Sequence, residues 1–556
     1  MVDDGALARG LRALDAWSLE EARASFEEAL AGEETVEALE GLAAAAGWLD
    51  DAETSIDARE RAYRLYRGRG DDESAARVAC TIALDVLSLR GDSAVASGWV
   101  RRARTLMTEP GSPSMVTVLA LESMMARGYD KDMPRARALS EEAVDLAHRL
   151  GYLGIEMIAR AHLGLVLVSS GEVAEGMHLL DEATAAAVGG ELEDLETAVN
   201  VCCFMVTACL RSRDLSRAAQ WSRYVLGRAD QHRSAALFDY PRSEHAAVLT
   251  WWGRWDEAEK HLLAAIDEAA NRPVAAALGK LYLADLRRRQ GRFDQAEALL
   301  NELDAPPHRF GLGPLTTSAR AMLAFARGLH PEAAGHAEAF LRVLPEGDPI
   351  ERVDALEVLA RSRAALGDAD RAEGPAEELR GIAAKVGTAP LRAVAELATG
   401  LVSAARGDLE RGRASLERAR DLFAQAEAPL EAAQARLELA ELLIVRGDRV
   451  AAAGEARAAR AAFASLGAAH ESARAGRLEA EIQGGRDPSG VPLSDREVDV
   501  LRLVAAGRSN EEIAGDLVLS IRTVERHISN IYSKIGVSGR TARVAASGYA
   551  HRHGLT

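Results

Sequence analysis

The sequence predicts an all-α protein, a long array of paired helices followed by a small four-helix unit, and three observations carry that prediction. Hydrophobic residues make up 48% of the chain and aromatics only 4%, so Ala and Leu must fill most buried sites. That composition suits close-packed helices better than β-sandwiches or barrels. A glycine recurs between pairs of helix-forming stretches, and near the carboxyl end two Ser-x-x-Glu sequences head short apolar runs. With 556 residues the chain is also too long for one hydrophobic core, which favours several units or an elongated array.

The array comes first. Gly253, Gly291, Gly328, Gly367, Gly407 and Gly447 follow one another at 38, 37, 39, 40 and 40 residues, with weaker relatives at Gly91 and Gly171. Such a glycine can end one helix in the left-handed conformation, and the Asp that follows several of them can cap the next. Pro273, Pro314, Pro349, Pro390 and Pro429 keep the same phase, each predicted in the first turn of a helix, where proline is accepted. Five residues after the glycines stand Ala96, Gly176, Ala258, Ala296, Ala333, Ala372, Gly412 and Ala452, and nine after them Val100, Leu180, Leu262, Leu300, Ala337, Ala376, Leu416 and Ala456. The first set is small enough for two helices to approach closely, and the second lies on the same helical face.

This pattern resembles the tetratricopeptide repeat over roughly residues 10 to 483, with a longer period than the usual ~34 residues and an irregular first half. The resemblance implies an α-solenoid, a superhelix of paired helices whose inner face binds a protein, peptide or small-molecule effector. A spacer or oligomerisation scaffold is the alternative.

Other chemistries find little support. Cys202 and Cys209 share a helical face but lack a second pair of ligands, so the cysteines at 80, 202, 203 and 209 are expected in the core and no metal site is expected. Trp251, Trp252 and Trp255 are read as packing between repeats, with an aromatic ligand wall as the alternative. The Gly-Lys at 279 and 280 is followed by Leu281 inside a helical stretch, which excludes a standard phosphate loop. No nucleophile elbow, zinc-protease or dinucleotide motif occurs, so neither enzymatic activity nor a cofactor is expected. No apolar run reaches the ~20 residues needed to span a bilayer, and the first twenty residues lack a signal-peptide core, so a cytoplasmic protein without membrane association is expected.

The composition changes at residues 484–492, where three glycines and two prolines predict a linker between a repeat domain, 1–483, and a terminal domain, 493–556. The chain carries 67 basic and 85 acidic residues, net −18. From 488 onward, nine Arg and Lys stand against seven Asp and Glu, so the tail is +2 and the preceding residues −20. Nucleic acid is therefore not coated by the whole surface, but a local patch remains available.

Ser494-Asp-Arg-Glu497 and Ser509-Asn-Glu-Glu512 match capping boxes and predict two helix starts. The first helix buries Val498, Leu501 and Val504 and stops at Gly507; the second is short and buries Ile513, Ala514 and Leu517. Ser520 caps a third, with Val524, Ile528, Ile531 and Ile535 on its apolar stripe, and a fourth runs from about Gly539 to Tyr549. Two helices joined by a tight turn, the latter followed by an amphipathic helix with polar and basic residues outward, describe a helix-turn-helix.

The strings Leu493 to Glu497, Ala506 to Ala514, Leu519 to His527 and Asn530 to Ile535 resemble the DNA-binding domain of LuxR-type transcription regulators. A repeat array followed by this domain is also similar to the large maltose-regulator-type activators, without their ATPase module. The resemblance implies a bacterial transcription regulator that binds double-stranded DNA as a homodimer, the third helix lying in the major groove. Carried onto this chain, Glu525, Arg526 and Ser529 read base edges, while Asn510, Arg522, Thr523, Asn530, Lys534 and Arg540 hold phosphates. Glu525 departs from the family's commonest residue there, Lys. Thr523 and His527 have an alternative role in packing and capping within the domain. The remaining reading of the whole chain is an interaction scaffold that docks through its terminal domain.

Overall fold

The computed structural model of the chain describes residues 5–107, 111–192, 195–232, 239–304, 312–344, 347–483, 493–539, 541–552 and 555. The expected linker 484–492 and Arg540 lie outside the described residues. Every regular element among the described residues is a helix. By their contacts the residues form two compact units, Met1–Ala435 with Leu466–Ala468, and Arg436–Ser465 with Ala469–Thr556.

Helices follow one another in pairs from Ala6–Asp15 and Leu19–Gly32 to Pro429–Val445 and Arg449–Leu466. All eight turn glycines read from the sequence have positive φ, from 67° at Gly91 to 86° at Gly171. The residues five and nine positions beyond them are all buried. The irregular first half obeys the same rule with other residues: Trp17, Asp50, Lys131 and Arg213 take φ of 56°, 62°, 57° and 56° in the corresponding turns. Five residues after these stand Ala22, Ser55, Ala136 and Ala218, again small and buried.

The small site packs on the residue seven positions before the turn. A Cβ on Gly164 would lie 2.7 Å from the Gly176 carbonyl oxygen, and one on Gly400 3.1 Å from that of Gly412. In the pair around Asp50 the hydroxyl of Ser55 donates to the Ala43 carbonyl at 2.9 Å. Two first helices end instead in π-helical turns, Val86–Arg90 and Ala126–Asp130. A π turn accommodates one extra residue, so the contact moves back one position, and Ser123 donates to Ala136 at 2.7 Å. Pro349 departs from expectation: its helix begins only at Val353.

Within the first unit the solenoid returns upon itself. Arg211 meets Asp348, Arg289 meets Glu431 and the Thr388 hydroxyl donates to the Ser212 carbonyl, linking residues 137, 142 and 176 apart. These links join a pair to another four or five pairs onward, so roughly that number completes one superhelical turn.

The noncatalytic readings of the singled-out residues find their places here. Cys80, Cys202 and Cys209 are buried and Cys203 is half-buried, all free, and burial pushes the thiols of the first three up to about 12. Trp251 lies between the guanidiniums of Arg213 and Arg289, 5.1 and 4.7 Å from its ring centre, and Trp255 is buried with its indole N–H on the Thr250 carbonyl. These are packing roles. Gly279 sits inside Pro273–Arg289, and Lys280 pairs with Glu302 at 2.9 Å. No described helix is long and apolar enough to cross a membrane.

Candidate nucleic-acid interface

The last four helices are Asp495–Ala505, Asn510–Asp516, Ile521–Lys534 and Ala542–Arg552. The fourth begins later than expected, because Gly539 takes φ 85° and cannot open a helix. Their apolar faces meet in one core that includes Leu501, Ile513, Val524, Ile531 and Ala546. Val500 joins it, although the helical spacing of Val498, Leu501 and Val504 left it out.

Both capping boxes form. The Glu497 carboxylate accepts from the Ser494 backbone N–H at 2.7 Å, and Glu512 accepts from that of Ser509 at 2.7 Å. Ser520 caps the third helix, its hydroxyl oxygen accepting from the Thr523 backbone N–H at 3.1 Å. Between the second and third helices Leu519 N–H closes on the Ala514 carbonyl at 2.9 Å, with Val518 at φ 54°. This fixes the tight turn.

Three links that the sequence reading missed join the helices and turns of this domain. Lys534 Nζ lies 2.6 Å from Glu497 Oε2, joining the third helix to the first. Burial raises the Glu497 pKa, but Lys534 and the Ser494 donors outweigh it, so this carboxyl titrates below its usual range. Arg496 donates to the Leu517 carbonyl at 2.6 Å, pinning the first helix to the turn. Arg543, from the fourth helix, donates to Asn510 Oδ1 at 2.9 Å and to the Arg508 carbonyl. Glu497 was legible as a capping residue; its second partner is 37 residues away and left no local signal.

The sequence-derived site residues fall into two groups. Arg522, Glu525, Arg526, Ser529 and Asn530 are all exposed, on the side of Ile521–Lys534 opposite Val524, Ile528 and Ile531. Their spacing keeps them on one face, and the three charged ones form no ion pair among the described residues. Asn510, Thr523 and Lys534 are engaged within the domain: Asn510 with Arg543, Lys534 with Glu497, and the Thr523 hydroxyl with Ser520 Oγ at 2.7 Å. Arg540 lies outside the described residues. No group of His, Cys, Asp and Glu able to hold a metal occurs among the described residues.

Comparison with known proteins identifies this segment. Residues 491–546 match the family model of bacterial regulatory proteins of the luxR family, and the carboxy-terminal segment is a LuxR-family helix-turn-helix domain. It is 48% identical over 63 residues to the transcriptional regulatory protein LiaR of Bacillus subtilis (strain 168), covering 11% of this chain and 28% of LiaR. It is 46% identical over 63 residues to the response regulator protein VraR of Staphylococcus aureus (strain Mu3), covering 11% and 29%. The chain thus spans less than a third of the length of these relatives. Among solved structures, a Rap protein complexed with competence and sporulation factor is similar at TM-score 0.47 and 15% identity, over 64% of this chain and 99% of that one. The Cut9–Hcn1 hetero-tetramer structure is similar at TM-score 0.44 and 13% identity, over 87% and 96%.

Proposed function

We propose that this protein is a bacterial transcription regulator that reads specific double-stranded DNA through the outer face of Ile521–Lys534, while the helical repeats serve as a platform for an effector or partner. The single observation that carries this reading is the row Arg522, Glu525, Arg526, Ser529 and Asn530, exposed and without ion pairs among the described residues, on a helix whose other face is locked into the domain core. Arg526 can donate two hydrogen bonds to a guanine, and Glu525 can accept from a cytosine amino group. Arg522, Asn530, Thr523 and Asn510 supply donors to phosphates, joined by Arg540. Lys534 keeps donor capacity beyond its bond to Glu497, with 42% of its side chain exposed.

One such helix reads too few base pairs to find a site in a genome, so the protein acts on DNA as a homodimer. The dimer contact falls on the fourth helix, where Val544 is exposed and Ala545 and Tyr549 are half-buried. In this reading the protein works in the cytoplasm, without catalysis and without a cofactor, and its domains divide at 484–492.

The test is selection of duplexes from a random-sequence library by the full chain. Enrichment of a sequence that occurs as two half-sites about one helical turn apart is the expected result. Val544→Asp should abolish pairing of the half-sites. Recovery of no sequence at low salt would leave the terminal domain as a docking module of an interaction scaffold.

A further inference from the structure

Charge gathers in the first unit where its superhelical turns meet. Arg211 is neutralised twice, donating to both carboxylate oxygens of Asp348 at 2.7 and 2.8 Å and to Glu351. Two more cations stand near this cluster, because Gly347, next to Asp348, packs on the start of the helix that follows Lys131: a Cβ on it would lie 3.4 Å from Met133 Cβ, and both cations feel the charges of Asp348, Glu351 and Arg211. Arg127 lies in the π-helical turn Ala126–Asp130 and Lys131 directly follows it, and neither makes a hydrogen bond or ion pair among the described residues. Three cations thus share two carboxylates that Arg211 already occupies.

The cost of this arrangement shows at both cations. Arg127 Nε is buried without a partner, and burial, then the charge of Arg211, pulls the guanidinium down to about 10. Burial also lowers the Lys131 pKa, against the pull of Glu351 and Asp348. The Arg127 charge reaches His162 as well, whose Nδ1 contacts Ser140 Oγ at 3.2 Å and whose buried Nε2 has no partner among the described residues. Burial, then Arg127, holds that imidazole neutral, down to about 3, so it supplies no counter-charge.

The backbone gives an independent sign. Lys131 takes φ 57° at a turn position where the regular repeats place glycine, and a long side chain there is strained. The three other non-glycine residues at this position gain contacts for that strain: Asp50 pairs with Arg272, Arg213 with Asp354, and Trp17 stacks on Trp48 at 5.3 Å. Lys131 has no comparable contact. A strained, partly desolvated lysine and a guanidinium without a partner among the described residues offer an anion charge-assisted donors that no described carboxylate takes up there.

We infer that Arg127 and Lys131, beside Arg211, form a binding site for the anionic oxygen group, carboxylate or phosphate, of a small effector. This assignment rests on the reading of the repeats as an effector platform, and its test contains no DNA, so its failure would leave the DNA reading untouched.

Thermal unfolding of the full chain is followed in chloride buffer at constant ionic strength, with inorganic phosphate added in one series and acetate in another. A saturable rise in Tm is expected with at least one of them; a response to phosphate names a phosphorylated effector, a response to acetate a carboxylate. Arg127→Gln should raise the half-saturating concentration about tenfold or more while leaving Tm in chloride unchanged or higher, because it removes an unpaired charge. Lys131→Gly should weaken the response too, and raise Tm in chloride by relieving the backbone. An unsaturable rise, or one equal in Arg127→Gln, overturns the assignment. So does a sharp fall of the Arg127→Gln Tm in chloride, which would make Arg127 the structural counter-ion of Asp348 and Glu351.

Discussion

The two regions of this chain are built from the same element and hold it in place by different means. In the repeats, the small site on the second helix is buried in every pair described, meets the backbone of the first helix at Gly176, Gly412 and Ser55, and is interchangeable among Gly, Ala and Ser as long as it is small. In the terminal domain, single side chains do the joining: Lys534 to Glu497, Arg496 to the Leu517 carbonyl, Arg543 to Asn510. Within each helix pair the array therefore stores information in spacing, with side-chain identity reserved for links between distant pairs such as Arg211–Asp348, whereas the terminal domain stores it in residue identity throughout. Charge divides the same way, −20 before residue 488 and +2 after it.

The largest effect should come from breaking the spacing rule. A Cβ on Gly176 would meet the Gly164 carbonyl oxygen at 2.5 Å and Val168 N at 2.9 Å, and neither backbone atom can move alone. Gly176→Val is expected to cost about 3 kcal/mol or more. Gly454, in the helix Arg449–Leu466, has nothing within 4 Å of its Cβ position, so Gly454→Ala should gain about 0.5–1 kcal/mol. Urea unfolding of both variants checks the contrast. A tolerated Gly176→Val would show that the close approach does not hold the array.

That difference also explains what could be read beforehand. Eight turns were legible because glycine marks them; those at Trp17, Asp50, Lys131 and Arg213 were not, because their positive φ falls on other residues, and the contacts that compensate it at Trp17, Asp50 and Arg213 have no sequence period. The fold of the terminal domain was legible from capping boxes and apolar spacing. The exposed row from Arg522 to Asn530 followed from the same helical period. That Asn510 and Lys534 would be bonded inside the domain did not, since Arg543 and Glu497 are 33 and 37 residues away.

A second test asks whether buried side-chain identity matters inside the array after all. Glu244 is buried, with Oε1 accepting from the Thr207 hydroxyl at 2.6 Å and Oε2 without a partner among the described residues. Burial, offset in part by Thr207, pushes its pKa up to about 8. A raised carboxyl pKa gives stability that is complete below the ordinary value and is lost as pH rises through about 8. The wild type should thus lose on the order of 2–3 kcal/mol between pH 5 and 8 through this group. Glu244→Gln, which imitates the protonated form, should flatten that loss in unfolding measured across the range.

In the terminal domain, two cations on one helix should separate binding from stability. Arg526→Ala should weaken binding to the selected duplex by about 1–3 kcal/mol and relax one base position, with unfolding unchanged. Equal loss on every duplex would make it a phosphate contact. Lys534→Ala instead leaves the Glu497 carboxylate, whose side chain is 4% exposed, without its cation. It should lower the stability of the domain and also weaken binding by a similar amount on every duplex, as loss of a phosphate contact does.

The smallest effect concerns Val518, the residue of the turn that leads into the third helix. Its φ of 54° is unfavourable for a β-branched side chain, and 91% of it is exposed, so no packing compensates the backbone. Glycine accepts that conformation but loses more chain entropy on folding, and the two terms leave a net gain below about 1 kcal/mol for Val518→Gly. If side-chain identity matters here only for joining helices, the variant should be slightly more stable and bind the selected duplex as tightly as the wild type. Weakened binding together with raised stability would mean that the isopropyl group itself meets DNA or a partner. The row on the third helix would then extend back into the turn, and the strain at Val518 would be maintained by function.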